Sequence, residues 1–125
     1  QVVTNVYFVV EPEQIVAQDL AHAIQAFAPL AEVRLFRMLD EAALALSQDR
    51  PLAVILHADP ARFAASAAGQ VLAEAGVPLA FLGTEAEARP MGAEVLASPF
   101  SEATVAALLQ RLVGYQAEAI SRSGG

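Results

Sequence analysis

Cysteine, tryptophan and lysine are all missing from this 125-residue chain. Without cysteine there is no disulfide, no thiolate nucleophile and no thiolate metal ligand, a lack that fits a reducing compartment. All seven basic side chains are arginine (Arg34, Arg37, Arg50, Arg62, Arg89, Arg111 and Arg122), so no ammonium side chain is available to any site. Positive charge is scarce too: the formal net charge is -7 and the pI near 4.6. That balance repels nucleic-acid phosphates and anionic lipid, and neither nucleic acid nor membrane is an expected partner. No apolar run approaches the roughly 20 residues that cross a bilayer, and the N-terminus lacks the basic-then-apolar order of a signal peptide. A soluble, cytoplasmic domain is expected.

What is present is a 56% hydrophobic chain of ordinary domain length, long enough to bury a core unaided. Residues 1–120 read as a single domain and 121–125, which show no periodicity, as a flexible tail. There are no internal repeats.

Val6 to Val10 is a short continuous run rich in β-branched and aromatic residues, the pattern of a strand covered on both faces. After Pro12 the positions Val16, Leu20, Ala23, Ile24 and Phe27 form one helical stripe, which Pro29 ends. Residues 32–37 alternate as a second strand, and Leu39, Ala42, Ala43 and Leu46 share a face of a second helix. A third strand over Leu52–Leu56 turns through Ala58-Asp59-Pro60 into a helix expected to point Ala64, Ala68, Val71 and Leu72 inward, with Gly76 as its stop. Pro78–Leu82 and Glu94–Ala97 supply two more strands, and the polar stretch Gly83–Gly92 between them has room for one helical turn. Ser101 is a good N-cap for a last helix with Val105, Leu108, Leu109 and Leu112 on its inner face, expected to reach about Ile120.

Five alternations of strand and helix with short connections imply a doubly wound α/β fold with a parallel sheet, in the flavodoxin-like order 2-1-3-4-5. Such sheets bind at the carboxyl ends of their central strands. The residues to interrogate are therefore Glu11 to Glu13, His57 to Asp59, Gly83 with Thr84, and Ser98 with Pro99.

At these positions the chain resembles a CheY-like response-regulator receiver of two-component signalling, in the form whose fourth helix, between the last two strands, is short or absent. Val9-Val10-Glu11-Pro12-Glu13 is similar to the acidic end of the receiver's first strand. Arg50-Pro51-Leu52-Ala53-Val54-Ile55-Leu56 resembles its third strand, and Val77-Pro78-Leu79-Ala80-Phe81-Leu82 its fourth. Ser98-Pro99-Phe100-Ser101 resembles the Lys-Pro-Phe-Ser segment before its last helix. The likeness spans residues 5 to about 114 and rests on the order and spacing of these short motifs.

The resemblance implies a phosphorylation site: an Asp nucleophile, acidic groups holding Mg²⁺, a hydroxyl and a Lys, each neutralising or reading charge on one phosphoryl group. This chain departs from it at every position. His57 stands where the phosphoacceptor Asp belongs, and imidazole neither forms the acyl phosphate nor offers magnesium a hard oxygen. Glu11 followed by Pro12 replaces the acidic pair. Gly83 takes the hydroxyl position, with Thr84 one residue late, and Ser98 replaces the Lys. Leu96 occupies the place of the aromatic residue whose rotamer switches in receivers. The resemblance also implies a cis peptide before Pro99.

Each of these residues has a sharper and a plainer reading. His57 is a phosphoacceptor or metal ligand, or else a hydrogen-bonded histidine at a strand end, which is favoured because no second histidine or cysteine is near in sequence. Glu11, Glu13 and Asp59 form a weak cation pocket, or else a solvated acidic edge. The arginines mark a nucleotide-binding face or an ordinary surface. Leu96, Val105, Leu109, Leu112 and Tyr115 offer an interaction face, or cover the domain's own core.

The expected function is a non-phosphorylatable pseudo-receiver: a protein–protein interaction or dimerisation module in bacterial two-component signalling. It would dock to another signalling protein or domain, such as a histidine kinase or an output domain, or to a second copy. The alternative is a sensor that binds a small anion, a nucleotide or a cyclic dinucleotide at the strand ends. With no P-loop, Gly-x-Gly-x-x-Gly turn or nucleophile elbow, no enzymatic reaction, cofactor or resident metal is expected.

Overall fold

The computed structural model describes residues 5–83 and 93–124, with the side chains of the last helix described to residue 113. Along the chain come β1 (Val6–Val10), α1 (Gln14–Phe27), β2 (Glu32–Phe36), α2 (Leu39–Ala45), β3 (Ala53–Leu56), α3 (Pro60–Ala65), α4 (Ala67–Glu74), β4 (Leu79–Leu82), β5 (Glu94–Leu96) and α5 (Glu102–Gly124). The strands form one five-stranded sheet in the order β2-β1-β3-β4-β5, parallel at every pairing, as the alternation of elements predicts. Val10 pairs with both Phe36 and Leu56, which aligns the carboxyl ends of the first three strands.

β1 is buried along its whole length because helices cover both of its faces. Successive side chains point to opposite faces of a strand. Tyr7 and Val9 accordingly pack with Leu20 and Ile24 of α1 and Val105, Leu108, Leu109 and Leu112 of α5. Val6, Phe8 and Val10 pack on the other face with Ala42 of α2, Phe63 of α3, Leu72 of α4 and Phe81 of β4. Two edge-to-face aromatic pairs stiffen this second layer, Phe8–Phe36 at 4.9 Å and Phe63–Phe81 at 5.2 Å between ring centres.

The single helix expected after β3 is two helices. Ser66 is extended (φ -88, ψ 153), and its hydroxyl donates to the Phe63 carbonyl at 2.9 Å while accepting from the Gly69 amide at 2.9 Å. One serine thus closes α3 and caps α4. The break rotates the second segment, so Phe63, Ala68, Gly69 and Leu72 are buried while Ala64 and Val71, expected inward, face solvent. The polar stretch 84–92, expected to hold one turn, lies outside the described residues.

α5 starts as expected: Ser101 accepts from the Thr104 amide at 3.2 Å, and Thr104 Oγ1 accepts from the Ser101 amide at 2.8 Å. It runs to Gly124, past the expected end near Ile120 and through most of the expected tail. Good helix formers such as Gln116, Ala117, Glu118 and Ala119 favour helix by local propensity, which a reading based on apolar periodicity discounts. Among the described residues no helix is long and apolar enough to cross a membrane.

Burial of Tyr7 raises its phenol pKa above the ordinary 10.0, because the tyrosinate would lose its hydration. Above pH 10.0 the unfolded chain ionises at this residue while the folded one keeps its proton. Stability therefore falls with rising pH from the unfolded value up to the raised folded value, by as much as about 1.4 kcal/mol per pH unit. With no lysine to titrate in the same range, denaturant unfolding between pH 9 and 12 should show this slope, and Tyr7→Phe should remove it.

Candidate functional site

β1 and β3 are neighbours in the sheet, so the residues that follow them meet. The His57 amide donates to the Val10 carbonyl at 2.9 Å and the Glu11 amide to the Phe36 carbonyl at 2.9 Å, extending both ladders by one step. Glu11 is the buried charged residue of the structure's described part, with only 3% of its surface exposed. Burying a carboxylate costs several kcal/mol unless its oxygens are satisfied, and here both are. His57 Nδ1 lies 2.9 Å from Glu11 Oε1, and the Glu13 amide donates to Oε2 at 2.9 Å. Because a carboxylate only accepts, the imidazole hydrogen in this contact sits on Nδ1. The ring itself is more than half exposed, so the hydrogen bond joins a buried acid to a solvent-facing imidazole.

Gly83 follows β4 with φ +86, a conformation glycine adopts without strain, and its amide donates to the Leu96 carbonyl at 2.7 Å. A Cβ placed there would meet the Ser98 Cβ at 3.9 Å, so the two positions face each other at van der Waals distance. The Ser98–Pro99 peptide is cis. The structure thus brings Glu11 to His57, and Gly83 to Ser98; Pro12 and Pro99 are exposed beside them, and Thr84 lies outside the described residues.

The expected cation pocket of Glu11, Glu13 and Asp59 does not assemble. Asp59 is taken up as the N-cap of α3, accepting from the Arg62 amide at 3.1 Å. The Glu13 side chain is exposed, and Glu11 is committed to His57. Among the described residues no three His, Cys, Asp or Glu side chains stand where they could hold a metal ion. Among the described residues the strand ends offer a hydrogen-bonded acid, a glycine and a serine.

The expected interaction face also needs correction. Leu96, Val105, Leu109 and Leu112 are buried in the core beneath α5 rather than displayed on it, and the Tyr115 side chain lies outside the described residues. Their helical stripe fits a partner's groove and the domain's own sheet equally well in sequence; packing against Tyr7, Val9 and Ile55 decides for the sheet. The outer surface of β5 and α5 carries Ala107, Gln110 and Arg111 instead, with Arg111 Nε 3.2 Å from Glu94 Oε1.

Sequence reasoning missed a cleft of about 400 Å³ between the end of β2 and the start of α1, lined by Glu11, Pro12, Gln14, Leu35, Phe36 and Arg37 among others. Nothing in the residue pattern links Gln14 to Arg37; the parallel pairing of β1 with β2 does.

Sheet order, helices on both faces and this arrangement of strand ends define the fold of CheY-like response-regulator receiver domains. Solved structures with that fold match the chain closely. The chemotaxis response regulator CheY4 of Vibrio cholerae superimposes with a TM-score of 0.69 at 20% identity, over 88% of this chain and 99% of that one. The signal receiver domain of an HD domain-containing protein from Pseudomonas fluorescens Pf-5 gives a TM-score of 0.70 at 16% identity, over 98% and 96%. The response regulator PhyR from Brucella abortus gives 0.69 at 22% identity, over 96% of this chain but 52% of that one. No protein-family model matches the chain, and no curated protein sequence matches it.

Proposed function

We propose that this domain is a pseudo-receiver, a bacterial cytoplasmic signalling module that does not accept a phosphoryl group at its strand ends and acts by docking. The observation that carries this reading is the Glu11–His57 pair. The carboxylate best placed to bind a divalent cation has one oxygen on an imidazole and the other on the Glu13 amide, and the position that would supply the nucleophile supplies that imidazole. Gly83 and Ser98 support it, because neither brings the charge that stabilises phosphoryl transfer. The receiver fold makes a histidine kinase or an output domain the natural class of partner. Its docking surface would be the outer side of β5 and α5, where Ala107, Gln110 and Arg111 are exposed.

Incubation with acetyl phosphate and magnesium is expected to leave the intact mass of the chain unchanged. A stoichiometric gain of one phosphoryl group would overturn the reading. A second reading, sensing of a small anion, is favoured by the cleft beside Arg37. A rise in melting temperature with cyclic dinucleotides or small organic anions, lost in Arg37→Ala, would replace docking by ligand binding as the primary role.

A further inference from the structure

β2 is an edge of the sheet. The Glu32 amide donates to the Asn5 carbonyl at 2.8 Å and the Phe36 carbonyl accepts from the Glu11 amide at 2.9 Å, so these alternate residues turn their backbone groups inward to β1. Val33 and Leu35 between them turn theirs outward. Edge strands are commonly protected by lysine, proline or a bulge. Residues 31–37 contain no proline, the chain contains no lysine, and the parallel register with β1 runs without interruption from Glu32 to Phe36. Leu35 is 43% exposed, and Leu30, just before the strand, is 95% exposed.

We infer that the β2 edge is a homodimer interface, in which β2 of two copies pair antiparallel about a two-fold axis at Val33. A two-fold normal to the sheet keeps each face on its own side, so residues opposite one another must share parity along the strand. Three registers centre on β2's inner residues. An axis at Arg34 sets Arg34 against itself, a like-charge contact that disfavours pairing. An axis at Leu35 sets Arg34 opposite Phe36 and leaves Glu32 without a basic partner. An axis at Val33 sets Glu32 opposite Arg34 of the second copy, twice by symmetry, and joins the two Val33 residues through their outward amides and carbonyls. Arg34 would bridge Glu32 of the second copy and its own Asp49, 2.6 Å away; its guanidinium lies 5.9 Å from the Phe8 ring centre and 5.5 Å from that of Phe36, with about a third of the side chain exposed. The result is one continuous ten-stranded sheet, formed at the edge opposite β5 and independent of the docking surface proposed above.

Sedimentation equilibrium at low ionic strength tests this with charge-swapped chains. The wild type is expected to dimerise, and Glu32→Arg, at an exposed position, to weaken the dimer by at least about tenfold through two like-charge contacts. Arg34→Glu alone should likewise be monomeric, whereas an equal mixture of the two variants should associate, since both cross-strand pairs are then complementary. Val33→Pro, which removes an outward amide only, gives the same answer should Arg34→Glu not fold: a monomer supports the interface. A monomeric wild type, a dimer indifferent to Glu32→Arg or Val33→Pro, or folded variants that stay apart when mixed would overturn it. None of these results bears on the acetyl phosphate experiment, so the two proposals stand or fall separately.

Discussion

His57→Asp is expected to lower the melting temperature by about 8 °C in the absence of divalent cations, and magnesium is expected to restore at least half of the loss. The substitution replaces the hydrogen donor that satisfies Glu11 Oε1 with a second carboxylate, against an acid that is 3% exposed. Leaving a buried carboxylate without its hydrogen-bond donor costs about 1–3 kcal/mol, and more beside a second carboxylate. His57 is more than half exposed, so solvent screens part of that, and about 2 kcal/mol is the reasonable figure. At this chain length that free energy corresponds to several degrees of melting temperature. Two adjacent carboxylates are also a hard-oxygen site, which is why magnesium should reverse the effect while leaving the wild type indifferent. His57→Asn keeps a neutral donor and should lose less than half as much. If His57→Asp melts at the wild-type temperature in a chelator, Glu11 is not held by His57, and the account of a site closed by its own hydrogen bond fails.

Gly69→Ala is expected to cost about 3 kcal/mol, or roughly 12 °C, which would make it among the most damaging single-methyl additions in the domain. A Cβ at position 69 would overlap the Phe63 carbonyl oxygen and lie 2.7 Å from its carbon. Both are backbone atoms, so no side chain can swing away; α3 and α4 must separate. Their separation would pull Phe63 from its edge-to-face contact with Phe81 and strip Ser66 of one of its two hydrogen bonds. In an ordinary helix interior the same change would stabilise by about 1 kcal/mol, through propensity alone. The sign of the effect, read by chemical denaturation, therefore reports whether the Ser66 break exists. A neutral or stabilising outcome would mean a continuous helix there.

The α3–α4 break illustrates what was hidden in the residues. Ser66 and Gly69 are ordinary helix-tolerated types in sequence, and Ala64, Ala68, Val71 and Leu72 make a plausible inward stripe. Only the competition between Phe63, which fills the layer beneath β4, and a continuous helix decides that the stripe shifts. The α5 stripe has the opposite history. Its period was plain, and the error lay in which surface it met: apolar spacing reports that a face is covered without reporting by what.

The residues alone determined that the domain alternates strand and helix, that its sheet is parallel, and that no aspartate or lysine can stand at the ends of β3 and β5. Those conclusions need only local pattern and residue chemistry, which the chain carries in every conformation. The tertiary structure decided the rest: that Glu11 is hydrogen-bonded by a residue 46 positions away, that Asp59 caps a helix instead of joining it, and that the leucines of α5 face inward. Each depends on distance in space between groups far apart in sequence, and that distance is set only when the sheet order brings β1 beside β3 and both faces are covered.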